Sequence, residues 1–372
     1  MSGLEILVVG GGIAGVAAAA PLAVDNIVTL IDKETSLAFH TTGRSAALLF
    51  DTYGALPLWP LTRASRHYFE DLLPAVMGHP MLSNRGALTV GFSGEETALD
   101  QMFEASAVTG VDVARLSGDE ARDVCPVLAE HVVGAVFERD AADMDVAAIH
   151  QAFVRLIIER RGTVRVGVEL TQATGGAHGG QVTLSDGSSW RGDVVVNASG
   201  AWGDVVAARC GIEPVGLEPR RRTAFMVTGT PDSEAWPLVV DRTHTFYFKP
   251  DGQQLLCSPA DETLEEPKDA RPEELDVAIA IERINEATTL AIRSVRSQWA
   301  GQRTFVADRS MVIGPDPSNN AFVWLVGQGG TGIQTAPAAG ELAAALATGT
   351  APPNHLVAAG LDLAGLTPDR LR

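Results

Sequence analysis

Residues Leu4 to Lys33 read LEILVVGGGIAGVAAAAPLAVDNIVTLIDK, and this stretch decides the fold. Leu4 to Val9 is a short apolar run of strand type, and Gly10-Gly11-Gly12-Ile13-Ala14-Gly15 follows at once. Val16 to Ala20 is helix-forming, and a second apolar run, Ile27 to Ile31, ends on Asp32. Strand, glycine turn, helix, strand and acid, in that order, make a dinucleotide-binding βαβ unit. Gly10 permits the tight turn, Gly12 lets backbone approach a pyrophosphate, and Gly15 lets helix and strand pack closely. The helix start at Ile13 and Ala14 offers free N–H groups and a partial positive charge to phosphates. Asp32 stands about 20 residues beyond the first glycine, where a carboxylate accepts hydrogen bonds from a ribose and disfavours a 2′-phosphate. NADP is therefore not the expected nucleotide.

Working outward, the length of 372 residues accommodates two domains or one large domain with an inserted module. The formal net charge of −18 argues against nucleic acid or an anionic membrane as partner. Cys125, Cys210 and Cys257 are isolated, with no metal-ligand spacing, so no metal site is expected and the thiols suit a reducing cytosol. The N-terminal apolar run is broken by glycines and Pro21 and has no basic lead, so it does not read as a signal peptide. No uninterrupted apolar run is long enough to span a bilayer. The expected location is cytoplasmic, with peripheral contact at the inner face of the membrane as the variant that quinone reduction would require.

Nucleotide-type signals come in three pieces. In the second, Val146 to Arg160 reads as an amphipathic helix, and Val164 to Leu170, Gln181 to Leu184 and Asp193 to Asn197 read as strands. In the third, the apolar strand Phe322 to Val326 runs into Gly327-Gln328-Gly329-Gly330-Thr331-Gly332, and a helix starts near Ala336 with Pro337 in its first turn. Between the pieces, Arg85 to Phe92, His131 to Glu138, Thr223 to Thr228, Leu238 to Asp241, Thr245 to Lys249 and Gln254 to Cys257 read as antiparallel strands. Pro272 to Ile292 reads as a long helix. The chain is thus expected to weave twice out of a nucleotide domain into a β-rich module.

Three further segments make the pattern specific: His40-Thr41-Thr42-Gly43-Arg44-Ser45-Ala46-Ala47, Val194 to Trp202 (VVVNASGAW), and Gly327 to Thr335 (GQGGTGIQT). Together they resemble the D-amino-acid oxidase-like superfamily of FAD-dependent oxidoreductases. HTTGRSAA, WAGQRTFVAD (Trp299 to Asp308) and FYFKPD (Phe246 to Asp251) are most similar to bacterial D-amino-acid dehydrogenases of the D-arginine type. The resemblance implies an α/β two-domain flavoprotein, with a Rossmann-like FAD-binding domain (residues 1–50, 143–220 and 300–372). An inserted β-rich antiparallel substrate domain would then comprise residues 51–142 and 221–299. It implies FAD, held without a covalent tether because no cysteine falls at a tethering position. The implied cofactor contacts are Gly10, Gly12, Ile13, Ala14, Asp32, Lys33, Arg44, Ser45, Ala46, Val168, Ala198, Gly200, Trp202, Gly330, Gly332, Ile333 and Gln334. Val168 reads equally as a plain core valine. The turn Gly329 to Gly332 at a helix start suits the flavin region where negative charge develops on reduction.

An α-amino acid presents a carboxylate, whose two oxygens match a guanidinium fork. The resemblance places Arg222 and Arg303 on that carboxylate, with Tyr53 and Tyr247 capping it and Gly330 beside it. Strand alternation points Tyr247 away from Phe246 and Phe248, so its hydroxyl and the two phenyl rings belong to opposite faces. Relatives that take basic D-amino acids place a glutamate at the position of Ala87, a histidine at Leu48 and a threonine at Phe50; here all three are apolar. An unpaired guanidinium there costs several kcal/mol, against roughly 1.5–3 kcal/mol gained by burying an apolar side chain. The expected reaction is therefore oxidation of an apolar D-amino acid to the imino acid, then hydrolysis to a 2-oxo acid and ammonia. No protein side chain is assigned as catalytic base. The alternatives are a sarcosine or other N-methyl amino acid, a 2-hydroxy acid, or a non-catalytic electron carrier. Oxygen and a quinone both stand as electron acceptors.

Overall fold

A computed structural model describes residues 3–107, 110–174 and 180–372, without the side chain of Ala107. The opening stretch forms strand Glu5–Val9, helix Ile13–Leu22 and strand Ile27–Asp32, as its pattern predicts. These belong to a six-stranded sheet whose order is Val312–Asp316, Asn319–Val326, Val194–Asn197, Glu5–Val9, Ile27–Asp32 and Thr163–Val166. Its strands run parallel except Val312–Asp316 at one edge. Leu30 and Val196 flank Val8 in register. Both faces are covered, so these strands are continuous apolar runs rather than alternating ones. On one face lie helices Ile13–Leu22, Val146–Glu159 and Ala336–Ala347. The first and last of these pack backbone to backbone: a Cβ on Gly340 would sit 2.3 Å from Ala17 O. On the other face Leu7, Val9 and Ile31 meet Leu170, Val182 and Leu184 of a small three-stranded sheet.

The β-rich module is an eight-stranded sheet in the order Ser297–Phe305, Glu218–Thr228, Gln254–Ser258, Tyr247–Asp251, Leu238–Asp241, Ala87–Phe92, Val132–Glu138 and Val113–Ser117, antiparallel as expected except that Leu238–Asp241 runs parallel to Ala87–Phe92. Phe225, Phe246 and Phe248 pack on helix Glu274–Ala287 from one face. Tyr247 emerges on the other, with Ala224, Leu238 and Val240. This is the two-faced arrangement expected of FYF.

Local differences from the sequence reading have physical causes. The run Val164 to Leu170 is split, because Gly167 adopts a left-handed conformation (φ 70°) and Leu170 begins a strand of a different sheet. The strand expected at Thr245 starts two residues later, because the Asp241 carboxylate gathers the N–H groups of Thr243, Thr245 and Phe246 into a turn. The expected domain boundaries at 220/221 and 299/300 fall inside the paired strands Glu218–Thr228 and Ser297–Phe305. Residues 56–77, expected with the substrate module, put Leu58, Leu61, Phe69 and Leu73 into the core of the nucleotide domain. No helix among the described residues is long and apolar enough to cross a membrane.

Candidate active site

Two connected cavities lie between the modules. The first is a cleft over the carboxyl ends of the parallel strands, and of the expected cofactor contacts it brings together all but Gln334. Gly10 is left-handed (φ 111°), and a Cβ there would lie 2.4 Å from Ala198 O. A Cβ on Gly15 would lie 1.8 Å from Gly10 O, so side chains are excluded at both positions. At Gly12 a Cβ would meet nothing closer than Thr42 Oγ1 at 3.3 Å, but that hydroxyl accepts the Ile13 N–H at 3.0 Å, so this N–H is not free as expected. Asp32 accepts the Gly11 N–H at 2.6 Å and the Glu34 N–H at 2.8 Å, and keeps lone pairs free on both oxygens. Burial raises its pKa; the hydrogen bonds from Glu34 and Gly11 oppose that shift. Lys33 Nζ stands 3.5 Å over the Trp202 ring, which His40 also flanks at 4.6 Å.

Arg44 is placed differently from a cofactor-facing guanidinium. Its side chain donates to Phe39 O, Ala270 O and Ala300 O, and to Asp269 Oδ1 at 2.6 Å. It staples the flavin-type loop to the β-module, while Ser45 and Ala46 continue along the cleft. Gln334 lines the second cavity instead. Its Nε2 donates to Thr62 Oγ1 at 3.0 Å, and its buried Oε1 has no partner among the described residues. That orphaned acceptor lies beside Ile333, which borders both cavities, and it fits a ring N–H of a bound flavin. The cleft thus has a glycine turn that a Cβ would fill and the Asp32 carboxylate with free lone pairs, and the adjoining cavity holds the orphaned Gln334 acceptor, a set that suits FAD.

The second cavity, about 630 Å³, adjoins the inner end of the cleft, and Arg222, Tyr247, Arg303 and Gly330 line both. Arg303 Nη1 donates to Tyr53 Oη at 2.7 Å. A Cβ on Gly330 would fall 2.5 Å from that hydroxyl and 2.8 Å from Arg303 Nη1, so glycine is required for the three to meet. Arg222 donates through Nε to Asp261 O (2.9 Å) and through Nη2 to Glu262 Oε1 (3.1 Å). Burial and the charge of Arg303 lower the Arg222 pKa. For Tyr53, burial raises the pKa, but the charges of Arg303 and Arg222 outweigh it and the net shift is downward.

Leu48 and Phe50 line this cavity, but Ala87 does not. Thr89, two residues along the same face and in register with Val240, takes its place. Sequence reading also missed Lys249, His244, Glu262 and Arg309, all of which line the cavity. Lys249 had a signal, since it is two residues from Tyr247 on the same strand face. Its Nζ lies 2.5 Å from Asp143, which also holds Arg85 at 2.6 Å. None of the three cysteines lines either cavity.

The model of the DAO family, described as FAD dependent oxidoreductase, matches residues 5–346. The chain is 27% identical over 319 residues to the anaerobic glycerol-3-phosphate dehydrogenase subunit A1 of Haloferax volcanii, covering 79% of this chain but only 53% of that protein. It therefore spans about half the length of that curated relative. It is 25% identical to the glycine oxidase of Bacillus licheniformis over 374 residues, 93% of each chain. In fold it is similar to the L-proline dehydrogenase from P. horikoshii, with a TM-score of 0.86 at 21% identity over 99% of this chain and 98% of that one. With a nucleotide cleft built to take it, the chain belongs to the DAO family of FAD-dependent oxidoreductases, and FAD is its cofactor.

Proposed function

We propose that this protein oxidises a D-amino acid with an apolar side chain to the imino acid, which water converts to a 2-oxo acid and ammonia. The observation that carries this reading is the partnering of Arg303. Among the described residues its guanidinium has one hydrogen-bond partner, the Tyr53 hydroxyl, at the junction of the two cavities. Glu262, the one carboxylate lining this cavity among the described residues, is taken by Arg222 and by both Nη atoms of Arg309. Two guanidiniums with so little local counter-charge favour an incoming carboxylate.

In this reading Arg303 and Nη1 of Arg222, which hydrogen-bonds no other described residue, hold the carboxylate, and Tyr53 and Tyr247 close over it. Bound FAD supplies the hydride acceptor. The protein orients the α-carbon toward that acceptor, and orientation supplies much of the rate. Leu48, Phe50, Leu238 and Val240 offer apolar surface for the side chain. The Lys249 ammonium in the same wall repels a distal cation, which supports the exclusion of D-arginine and D-lysine. The D configuration and the absence of a covalent tether rest on the family resemblance.

The test is anaerobic mixing of the FAD-loaded protein with D- and L-amino acids, sarcosine, 2-hydroxy acids and glycerol 3-phosphate, read by loss of the flavin absorbance. Bleaching by D-leucine or D-methionine but not D-arginine supports the proposal. Bleaching confined to any other group on the panel replaces it with that activity.

A further inference from the structure

An α-amino acid enters as its ammonium form, and no hydride can leave the α-carbon until the nitrogen has a lone pair to form the C=N bond. A proton acceptor in the cavity would let that lone pair form at neutral pH. Glu262 is a poor one, because its two oxygens already accept from Arg222 and from both Nη atoms of Arg309. Lys249 is a cation bound to Asp143. Tyr53 already accepts from Arg303.

His244 is different. It is the one imidazole lining this cavity among the described residues, and its ring centroid lies 6.4 Å from that of Tyr53. Neither ring nitrogen hydrogen-bonds to another described residue, whereas His40 is held by Glu34 and His150 by Gly11 O. The residue sits at the tip of a turn in a left-handed conformation (φ 54°), which a non-glycine residue adopts at a cost. That turn is fixed from beneath. The buried Asp241 carboxylate accepts from the N–H groups of Thr243, Thr245 and Phe246 and from the hydroxyls of Thr243 and Thr245. Arg283, from helix Glu274–Ala287, donates to Thr245 O at 2.9 Å. Backbone strain held in place by a buried carboxylate, with a free imidazole at its tip, is the mark of a positioned group.

We propose that His244 accepts the proton of the substrate's α-ammonium. This rests on the amino-acid reading above. The ammonium N–H bond breaks and an N–H bond forms on the imidazole. The α-C–H bond then breaks with its electron pair, which passes with the hydrogen to FAD, and the nitrogen lone pair becomes the C=N bond. The substrate loses two electrons and FAD gains two.

The surroundings favour the unprotonated form of His244, the form with a lone pair to accept a proton. Burial lowers its pKa, and the charges of Arg222 and Arg303 lower it further against the opposing charges of Asp241 and Glu262. Arg242, its neighbour in the turn, is turned away onto Glu95.

The experiment is rapid anaerobic mixing of the FAD-loaded wild type and His244→Gln with D-leucine across a pH series, following flavin bleaching. The wild-type rate at saturating substrate should rise through one ionisation and level off near neutrality. His244→Gln should bleach roughly 100-fold more slowly at pH 7 and rise tenfold per pH unit without that plateau, as the amine ionises unaided. Added imidazole should recover part of the loss in His244→Gly. Visible spectrum and Tm separate these effects from misfolding. A His244→Gln variant that binds FAD and keeps the wild-type pH profile overturns the assignment. A wild type whose flavin no amino acid bleaches overturns the substrate reading and this one with it.

Discussion

Arg303 and Tyr53 lie 250 positions apart in the chain and meet at 2.7 Å, guanidinium to phenol oxygen, where the nucleotide cleft opens into the second cavity. Arg303 is carried by strand Ser297–Phe305 of the β-module, and Tyr53 by the loop after the flavin-type segment. The contact ties together the two parts of the chain that, in the proposed function, close around the substrate.

Replacing Arg303 with Met removes the guanidinium and leaves Tyr53 without its donor. Loss of a charge-assisted hydrogen bond costs about 1.5–3 kcal/mol, so KM for the amino acid should rise roughly 10- to 100-fold. FAD should stay bound, because the residues of the glycine turn and Asp32 are untouched. Steady-state kinetics together with the flavin absorbance check this, and an unchanged KM removes Arg303 from the site.

Gly330→Ala places a methyl group 2.5 Å from Tyr53 Oη and 2.8 Å from Arg303 Nη1. Both are the far ends of side chains, so the backbone need not move and Tm should shift little. KM should rise as the clamp is pushed apart. Tyr53→Phe removes the oxygen that the methyl meets, so the double variant should lose less than the sum of the two single losses. Strict additivity would show that the hydroxyl is not where the clash occurs.

Much of this arrangement was legible in the sequence, and the rest was not, for reasons that differ by residue. Gly10, Gly12 and Gly15 do their work through local backbone geometry and close approach, so their spacing carries the meaning. Tyr247 was legible because alternation in FYF assigns faces. By contrast, strand Ser297–Phe305 mixes polar residues and glycine, and only its continuous pairing with Glu218–Met226 makes it a strand. Thr89 rather than Ala87 lines the cavity because inter-strand register, which no single segment encodes, sets Thr89 beside Val240. His244 is one of eight histidines, and its place depends on a turn organised by Asp241. Arg44 sits in the expected loop, but partners distant in sequence direct its guanidinium away.

The loop that presents Tyr53 hangs on one buried carboxylate. Glu138 accepts the Asp51 N–H at 2.6 Å, the Thr52 N–H at 3.3 Å and the Thr52 hydroxyl at 2.7 Å. Glu138→Gln turns one acceptor into a donor facing donors. The loop should loosen, with KM rising roughly tenfold and FAD affinity unchanged. Kinetics with and without Tyr53→Phe check the route, since a loss that acts through Tyr53 should be smaller in that background.

The glycine turn has a support of its own that titrates. Buried His150 lies with Nε2 2.9 Å from Gly11 O, a contact that the protonated nitrogen donates. Burial lowers its pKa; the Gly11 carbonyl and the Asp32 charge oppose that shift without reversing it. With the folded value below the unfolded one, near 6.5, the unfolded chain binds the extra proton first. The stability contributed by neutral His150 is therefore complete above pH of about 6.5 and is lost as pH falls toward the folded value, at up to ~1.4 kcal/mol per pH unit. His150→Gln keeps a donor for Gly11 O but has nothing to titrate. Urea unfolding from pH 7.5 to 5 should show the wild type losing stability relative to His150→Gln as the solution is acidified. Parallel pH curves would mean that His150 is charged, or equally protonated, in both states.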